Sequence, residues 1–546
     1  MKRASYGCIS DEALECVMGH LEDPRDRGSV SLVCKKWYDV DAFTRKHVTV
    51  AFCYSIHASD LTRRFTRLES LTVKGKPRAA MYNLLPHDWG GYAKPWIDQI
   101  SFTCLCLKAL HLRRMIVTDD DLTTLVRGRG HMLQELKLEK CSGFSTRGLE
   151  EVAHGCRSLK ILMLDESQIE EESGDWLHEL ALNNSSLEVL DFYMTTLEMI
   201  NTSDLELIVT NCPSLTSLKV GECDIVEMRG VLSKATALEE FGGGTFNNSE
   251  EHATETSMIT FPPKLTSLLG LNFMIEAEMP AIFPRASALK RLDLQYTFLS
   301  TENHCQLAGL CPNLEILEVR NVIGDKGLEV VANTCKKLKR LRVERGADDP
   351  TLEDEQDKEE HIADLPLDNG VRALLRGCQK LSRFAFYIRP GGLTDTGLGY
   401  IGEYSTNVRW MLLGFVGETD QGILEFSKGC PKLERLEIRG CCFSESALAA
   451  AVLQLKSLKY IWVQGYNATV TGANLLAMAR PYWNIEFSPA LQSSDVFAED
   501  MAEEKKQDQV AQLLAYYSLA GRRTDHPESV IPLAPLFWNC HQVTVF

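Results

Sequence analysis

The sequence predicts an α/β fold: a leucine-rich-repeat solenoid, horseshoe-shaped to nearly ring-closed, preceded by a small all-helical module. Three observations carry this. The pattern Leu-x-x-Leu-x-Leu recurs with steps of mostly 23–28 residues, the period of leucine-rich repeats. Helix-forming stretches such as 325–331 and 420–426 lie between the copies. The N-terminal residues lack the pattern altogether.

Residues 9–48 form that first module. Asp11 is placed to cap a helix with Ala13, Leu14, Val17, Met18 and Leu21 on one face, the stretch 23–27 breaks it, and 29–38 reads as a second helix. Short helices of this total length bury too little apolar surface to stand alone, so they need the solenoid or a partner.

Residues 49–487 carry the repeats, about sixteen of them. Clear copies are Leu133/Leu136/Leu138, Leu159/Leu162/Leu164, Leu314/Leu317/Val319, Leu338/Leu341/Val343, Leu381/Phe384/Phe386, Leu433/Leu436/Ile438 and Leu458/Ile461/Val463. Looser ones begin at Leu68, Leu107, Leu187, Leu215, Leu238, Leu265, Leu289, Val408 and Ile485. Each repeat is a short parallel strand and a helix whose apolar face is buried only by stacking on its neighbours. Cys156, Cys212, Cys311, Cys335, Cys378 and Cys430 each precede a first anchor by three residues, where a compact buried thiol packs the turn from helix to strand.

Two steps are long. The 39 residues from Leu68 to Leu107 include a loop, 74–95, that carries both cations and apolar groups and reads as a pocket wall held down by Trp89, Tyr92 and Trp96. The 43 residues from Leu338 to Leu381 include 348–364, with nine acids and one lysine; taken alone, this is one repeat with a solvated acidic insertion. The C-terminal part, 488–546, reads as a polar linker, a capping segment at 513–521 and an apolar tail at 532–546.

Composition narrows the function. With 58 Lys+Arg against 75 Asp+Glu the net charge is −17, which argues against nonspecific nucleic-acid binding. The absence of a long apolar run argues against a membrane span, and the N-terminus shows no secretory leader. The 18 cysteines and 13 histidines make no closed four-ligand set, so no metal is expected. Without a Gly-rich phosphate loop, paired carboxylates or HExxH, an enzyme is not expected either. Within this acidic body, the strand residues flanking the anchors give a basic, aromatic concave face: Lys74, Arg113, Arg114, Arg340, Arg342, Arg345, Arg383, Tyr387, Trp410, Arg435, Arg439, Tyr460 and Trp462. Guanidinium forks suit carboxylate or phosphate, and the rings supply an apolar wall.

Particular strings add a resemblance. Residues 31–37 look like an F-box helix, and 74–84, 113–117, 341–348, 364–370, 383–387, 409–414, 439–443 and 479–484 resemble the plant jasmonate-receptor family of coronatine-insensitive F-box proteins, over about 9–527. The resemblance implies a non-catalytic substrate receptor in the nucleus, with the cytoplasm left open. Its F-box docks a Skp-type adaptor and a cullin–RING ubiquitin ligase, with Leu14, Leu32, Val33 and Trp37 as adaptor contacts. It senses jasmonoyl-isoleucine and recruits jasmonate-ZIM-domain repressors. Arg78, Arg342, Tyr387 and Arg439 match polar hormone positions, and Ala79, Tyr82, Leu84, Leu412 and Trp462 match apolar ones. Tyr82 stands where the best-known member has Phe. Lys74, Arg114, Arg340 and Arg345 match contacts to an inositol polyphosphate or to the repressor. Against the family, the 43-residue step reads as a loss near two repeats with its junction at 346–362. That would remove a hormone-facing Tyr, a small pocket residue and a concave Arg. A hormone-blind or nonfunctional F-box relative, and a plain leucine-rich-repeat scaffold, remain the alternatives.

Overall fold

The computed structural model describes residues 10–21, 23–50, 53, 56–76, 90–172, 175–246, 259–294, 297, 299–319, 323–344, 365–388, 390–489, 510–517 and 530–533. Two compact units emerge, one through residue 244 and one from 245 onward, with 262–264 joining the first.

The first unit opens with α1 (Asp11–Gly19), α2 (Pro24–Ser31) and α3 (Lys35–Thr44). Ser10, rather than Asp11, is the cap of α1, its hydroxyl accepting from Ala13 N at 3.2 Å. Pro24 starts α2 instead of merely ending α1, as its fixed φ suits a first helical turn. The expected second helix at 29–38 is therefore two helices, parted at Leu32–Cys34. Leu14, Met18 and Val40 form the module's core, with Val30 and Trp37 against it.

With α4 (Ala58–Arg64) between the first two, strands β1 (His47–Val50), β2 (Ser70–Lys74), β3 (Ala109–Arg113), β4 (Glu135–Glu139), β5 (Ile161–Met163), β6 (Val189–Asp191), β7 (Ser217–Lys219) and β8 (Glu240–Gly242) pair in parallel, in order. The second unit repeats the plan with β9 (Ser267–Leu269), β10 (Arg291–Leu294), β11 (Ile316–Val319), β12 (Arg340–Glu344), β13 (Arg383–Tyr387), β14 (Trp410–Gly414), β15 (Arg435–Arg439) and β16 (Tyr460–Gln464). Beyond β17 (Trp483–Ser488), β18 (Gln512–Tyr517) slots antiparallel between β16 and β17, and β19 (Ile531–Leu533) takes the far side of β17. The capping segment expected near 513 is thus a strand that ends the parallel run.

The leucine anchors are the core, as the repeat requires: every residue of the clear copies is at most 2 % exposed. The anchor cysteines are structural thiols. Burial pushes Cys156, Cys311, Cys335 and Cys430 up to about 12. Several also donate to the preceding repeat, Cys335 Sγ to Cys311 O at 3.4 Å and Cys378 Sγ to Cys335 O at 3.6 Å.

A second lock joins successive helix starts. An acid in the first turn of one helix accepts from the capping hydroxyl and N–H of the next: Asp119 from Ser145 (2.7 and 2.8 Å), Asp368 from Thr394 (2.5 and 3.0 Å), Asp420 from Ser444 (both 2.7 Å). The placement suits the helix dipole. Burial raises Asp395, but the Thr419 hydroxyl and the N–H groups of Glu418 and Thr419 outweigh it and hold the carboxyl below its ordinary range. Across the 43-residue step Asp325 still reaches the next helix, but by a different bond, accepting from Gly370 N in its first turn at 2.7 Å. β12 and β13 also pair there directly over five residues. The acidic run 348–364, like the junction 346–362, lies outside the described residues.

Candidate functional site

In the second unit, strand registry sorts the face turned away from the helices into three rows. One holds Arg340, Arg383, Trp410, Arg435 and Tyr460; the next Arg342, Ala385, Leu412, Glu437 and Trp462; the third Tyr387, Gly414, Arg439 and Gln464. Paired strands lie about 4.8 Å apart. Arg342 and Arg439, three strands apart, are therefore roughly 14 Å apart along the sheet, a span two long side chains and a small ligand can bridge.

The third row is built around a stack. Gly414 has no side chain, so the Tyr387 ring lies across it; a Cβ there would overlap the ring. Tyr387 reaches Phe415, ring centroids 5.4 Å apart, and the Phe415 ring in turn occupies the space over Gly440. The Arg439 guanidinium sits 5.5 Å from both the Tyr387 and the Trp462 ring centres. Such a sandwich is a cation–π arrangement. It leaves Trp462 1 % and Leu412 6 % exposed. The two predicted apolar positions are thus the floor of this stack rather than open wall.

Glu437, also 1 % exposed, accepts from Trp410 Nε1 at 3.3 Å. Alternation put Glu437 on this face; nothing in its neighbours signalled burial.

Toward β11 the face becomes a cationic cluster. Glu318 meets Arg340 at 2.8 Å and Arg342 at 3.7 Å. Burial pushes Arg340 below its ordinary range; Glu318 opposes this, and Arg342, Arg383 and Arg291 add to the fall. Crowded guanidiniums of this kind favour an anion.

The first unit corrects the expectation of a uniformly basic inner face. Its rows hold Glu135, Glu139, Asp165, Asp191 and Glu240 among Arg113, His111, Lys137 and Lys219. Arg113 pairs with Glu139 at 2.7 Å and Lys219 with Asp191 at 2.9 Å. Burial, with Asp191 and Glu166 nearby, lifts Asp165 to about 7. The acids lie on β4, β6 and β8 and just past β5, strands in the middle of the chain's order.

Lys74 ends β2 in register with Arg113. Arg114, at φ 53°, turns out of the strand row, and its Nε donates to Lys76 O at 2.8 Å. With Gly75 N to Arg113 O (2.8 Å), Lys76 N to Arg114 O (2.9 Å), Ile116 N to Gly91 O (2.9 Å) and Ala93 N to Ile116 O (2.8 Å), residues 113–116 hold both ends of the 74–95 loop. Arg78, Ala79, Tyr82, Leu84 and Arg345 lie outside the described residues.

On the helical module, Leu32 is 86 % and Val33 60 % exposed, with Val17 at 61 % beside them in type. Leu14 is 2 % exposed and sits in the module's core, whereas Trp37 is half-buried against that core and keeps part of its surface open. Among the described residues, no group of three His, Cys, Asp or Glu could hold a metal ion. No helix of theirs is long and apolar enough to cross a membrane.

Comparison with known proteins agrees with this geometry. Residues 7–47 match the F-box family, and 66–112 match the Transport inhibitor response 1 protein domain. The chain is 55 % identical to Coronatine-insensitive protein homolog 1a of Oryza sativa subsp. indica, over 96 % of each chain. The chain belongs to the coronatine-insensitive F-box family. It is also 50 % identical to Coronatine-insensitive protein 1 of Arabidopsis thaliana, over 97 % of this chain and 98 % of that one. The rice alignment spans 579 positions, more than the 546 residues here, so it opens gaps in this family member.

Proposed function

We propose that this chain is the substrate-recognition subunit of an SCF-type ubiquitin ligase that senses jasmonoyl-isoleucine and recruits jasmonate-ZIM-domain repressors for ubiquitination in the nucleus, where transcriptional repressors act. The observation that carries it is near-full-length identity to coronatine-insensitive proteins, on a chain whose open face groups Arg342 with the Tyr387–Arg439–Trp462 stack. The chain is a receptor; ubiquitin transfer belongs to its partners. The exposed Leu32 and Val33 face a Skp-type adaptor, which links the receptor to the cullin–RING core.

In this reading the hormone carboxylate pairs with the guanidiniums of Arg78, Arg342 and Arg439. Its apolar parts rest on Leu412 and Trp462, and the family match adds Ala79, Tyr82 and Leu84 as apolar contacts. Tyr387 and Trp462 hold the Arg439 guanidinium between them, so the ligand carboxylate meets a preorganised donor. The repressor then buries the remaining ligand surface, so hormone and repressor bind cooperatively. The cluster of Arg340, Arg342 and Arg383 fits an inositol polyphosphate, which would relieve the crowding felt by Arg340. Lys74, Arg114 and Arg345 would complete its donors or meet the repressor.

One observation favours a second reading, a hormone-blind receptor. β12 pairs directly with β13, and we read the alignment gaps as two repeats missing at 346–362. Both readings are tested by pull-down of a repressor peptide on the adaptor-bound chain, with and without micromolar jasmonoyl-isoleucine. Hormone-dependent capture supports the first reading, and capture that ignores the hormone supports the second.

A further inference from the structure

The contact between the helical module and the first repeat is unusually specific. α3 ends at Thr44 and β1 begins at His47, so little chain is free between them. Asp41 of α3 is completely buried and meets three guanidiniums. Arg27 Nη1 of α2 lies at 3.1 Å, Arg45 Nη2 of the same helix end at 2.8 Å, and Arg64 Nη2 of α4 at 3.6 Å. Arg27 belongs to the module, donating also to Leu21 O (3.0 Å), Thr44 Oγ1 (2.9 Å) and Thr44 O (3.3 Å).

Arg64 belongs to the repeats. Its guanidinium lies 3.9 Å from the Tyr38 ring centre of α3 and 4.9 Å from Phe65. Among the described residues its buried Nε has no acceptor, so charge toward Asp41 and stacking on Tyr38 hold it. Arg67 repeats the arrangement over Phe43 at 3.7 Å. Lys46 Nζ reaches Glu69 at 2.6 Å, while its carbonyl takes the N–H groups of Glu69 and Ser70.

A buried carboxylate shared between two bodies fixes an angle, because moving either body strands a charge in a low-dielectric site. We propose that Asp41, through Arg64, is a positioning residue that locks the adaptor-docking helices to the first repeat and so fixes where a bound repressor sits relative to the ligase. The inference rests on the receptor reading above. Ubiquitin transfer across a gap depends on a held geometry, and a swinging receptor dilutes the productive orientation.

The test uses the full chain with its adaptor in a reconstituted ligase and compares Arg64→Gln and Arg64→Lys with the parent. Three quantities are read: adaptor co-purification, hormone-dependent capture of a repressor peptide, and the rate of ubiquitin transfer to the repressor. Arg64→Gln is expected to leave both binding steps within about twofold while transfer slows on the order of tenfold. Arg64→Lys, which keeps the charge and loses the stack, falls between. Transfer at the parental rate overturns the proposal. So does loss of adaptor binding in Arg64→Gln, which would make Arg64 part of the module's own fold. If the parent itself fails to bind adaptor or repressor, it is the receptor reading that falls, a result the variants cannot mimic.

Discussion

Replacing Gly414 with alanine is the sharpest probe of the stacked site, because one methyl group acts on several rings. The Tyr387 ring crosses β14 at Gly414, and a Cβ built there overlaps it. The strand is paired on both sides, so the backbone cannot retreat and the ring has to rotate. Forcing extra volume into a packed site costs about 1–3 kcal/mol. If the ring instead swings clear, the Arg439 contact at 5.5 Å is lost, worth about 0.5–2 kcal/mol. Either route removes one wall of the sandwich that covers Trp462.

At about 1.4 kcal/mol per tenfold, the hormone concentration for half-maximal repressor capture should rise roughly 2- to 140-fold in Gly414→Ala. Iodide quenching of tryptophan fluorescence should rise as well, since Trp462 loses cover. Adaptor co-purification should stay at the parental level. Gly399→Ala is the control: its added Cβ meets nothing within 4 Å, in an interior helical turn where alanine is favoured by about 0.5–1 kcal/mol. If Gly414→Ala captures the repressor at parental hormone concentration, with quenching unchanged, the stack is not the binding element and the reasoning fails.

Asp165, raised to about 7, binds a proton in the folded chain between the unfolded carboxylate value near 3.9 and pH 7. Folding is therefore weakened as pH rises through that window. Asp165→Asn should raise Tm at pH 7.5 and leave it unchanged at pH 4; equal effects at both would refute the assignment. His304 behaves oppositely: burial lowers it to about 4, so its contribution is present above about 6.5 and lost as pH falls toward 4. His304→Leu, placed among Leu292, Leu307 and Leu317, should flatten that acid limb in thermal melts. Asp395→Ala removes acceptors for Thr419 and Glu418 and should lose about 1–3 kcal/mol in urea unfolding; a loss under 0.5 kcal/mol would count against the helix-start lock. Thiol labelling of the native chain should modify the exposed Cys16, Cys34 and Cys106 and spare Cys156, Cys335 and Cys430; rapid labelling of the second set would contradict their burial.

What the sequence disclosed divides along a physical line. The leucine and cysteine anchors were legible because their signal is local: a buried position recurs at a fixed distance from its own strand. The helix starts at Asp325 and Asp420 were legible for the same reason. Burial on the open face was not, since Trp462 is covered by Arg439 and Arg439 by Tyr387, residues one and two strands apart. Leu14 and Leu32 are indistinguishable as apolar residues on short helices. The break at Leu32–Cys34, which the pattern missed, leaves Leu32 exposed, while Leu14 packs inward from α1 with Met18 and Val40. Nothing near Asp41 in the chain marks it as buried, because its arginines come from three separate places: α2, the end of α3 and α4.

The same division explains the long step at 345–364. Every device that stacks one repeat on the next is internal to the repeat: the leucine anchors, the thiol at the helix-to-strand turn, the acid at the helix start. Asp325 can therefore hold Gly370, and Cys378 can donate to Cys335 O, across the 43-residue step from Leu338 to Leu381. The core is indifferent to which repeat follows which. The open face is not, for its chemistry lies in neighbours across strands. Arg340 stands beside Arg383 because β12 meets β13, and inserting even one strand would move them about 4.8 Å further apart. A stack of this kind preserves its fold under the loss of whole repeats while changing its ligand. The width of the site between Arg342 and Arg439 is therefore set at the junction, by how many repeats separate the two strands, and not by either repeat alone.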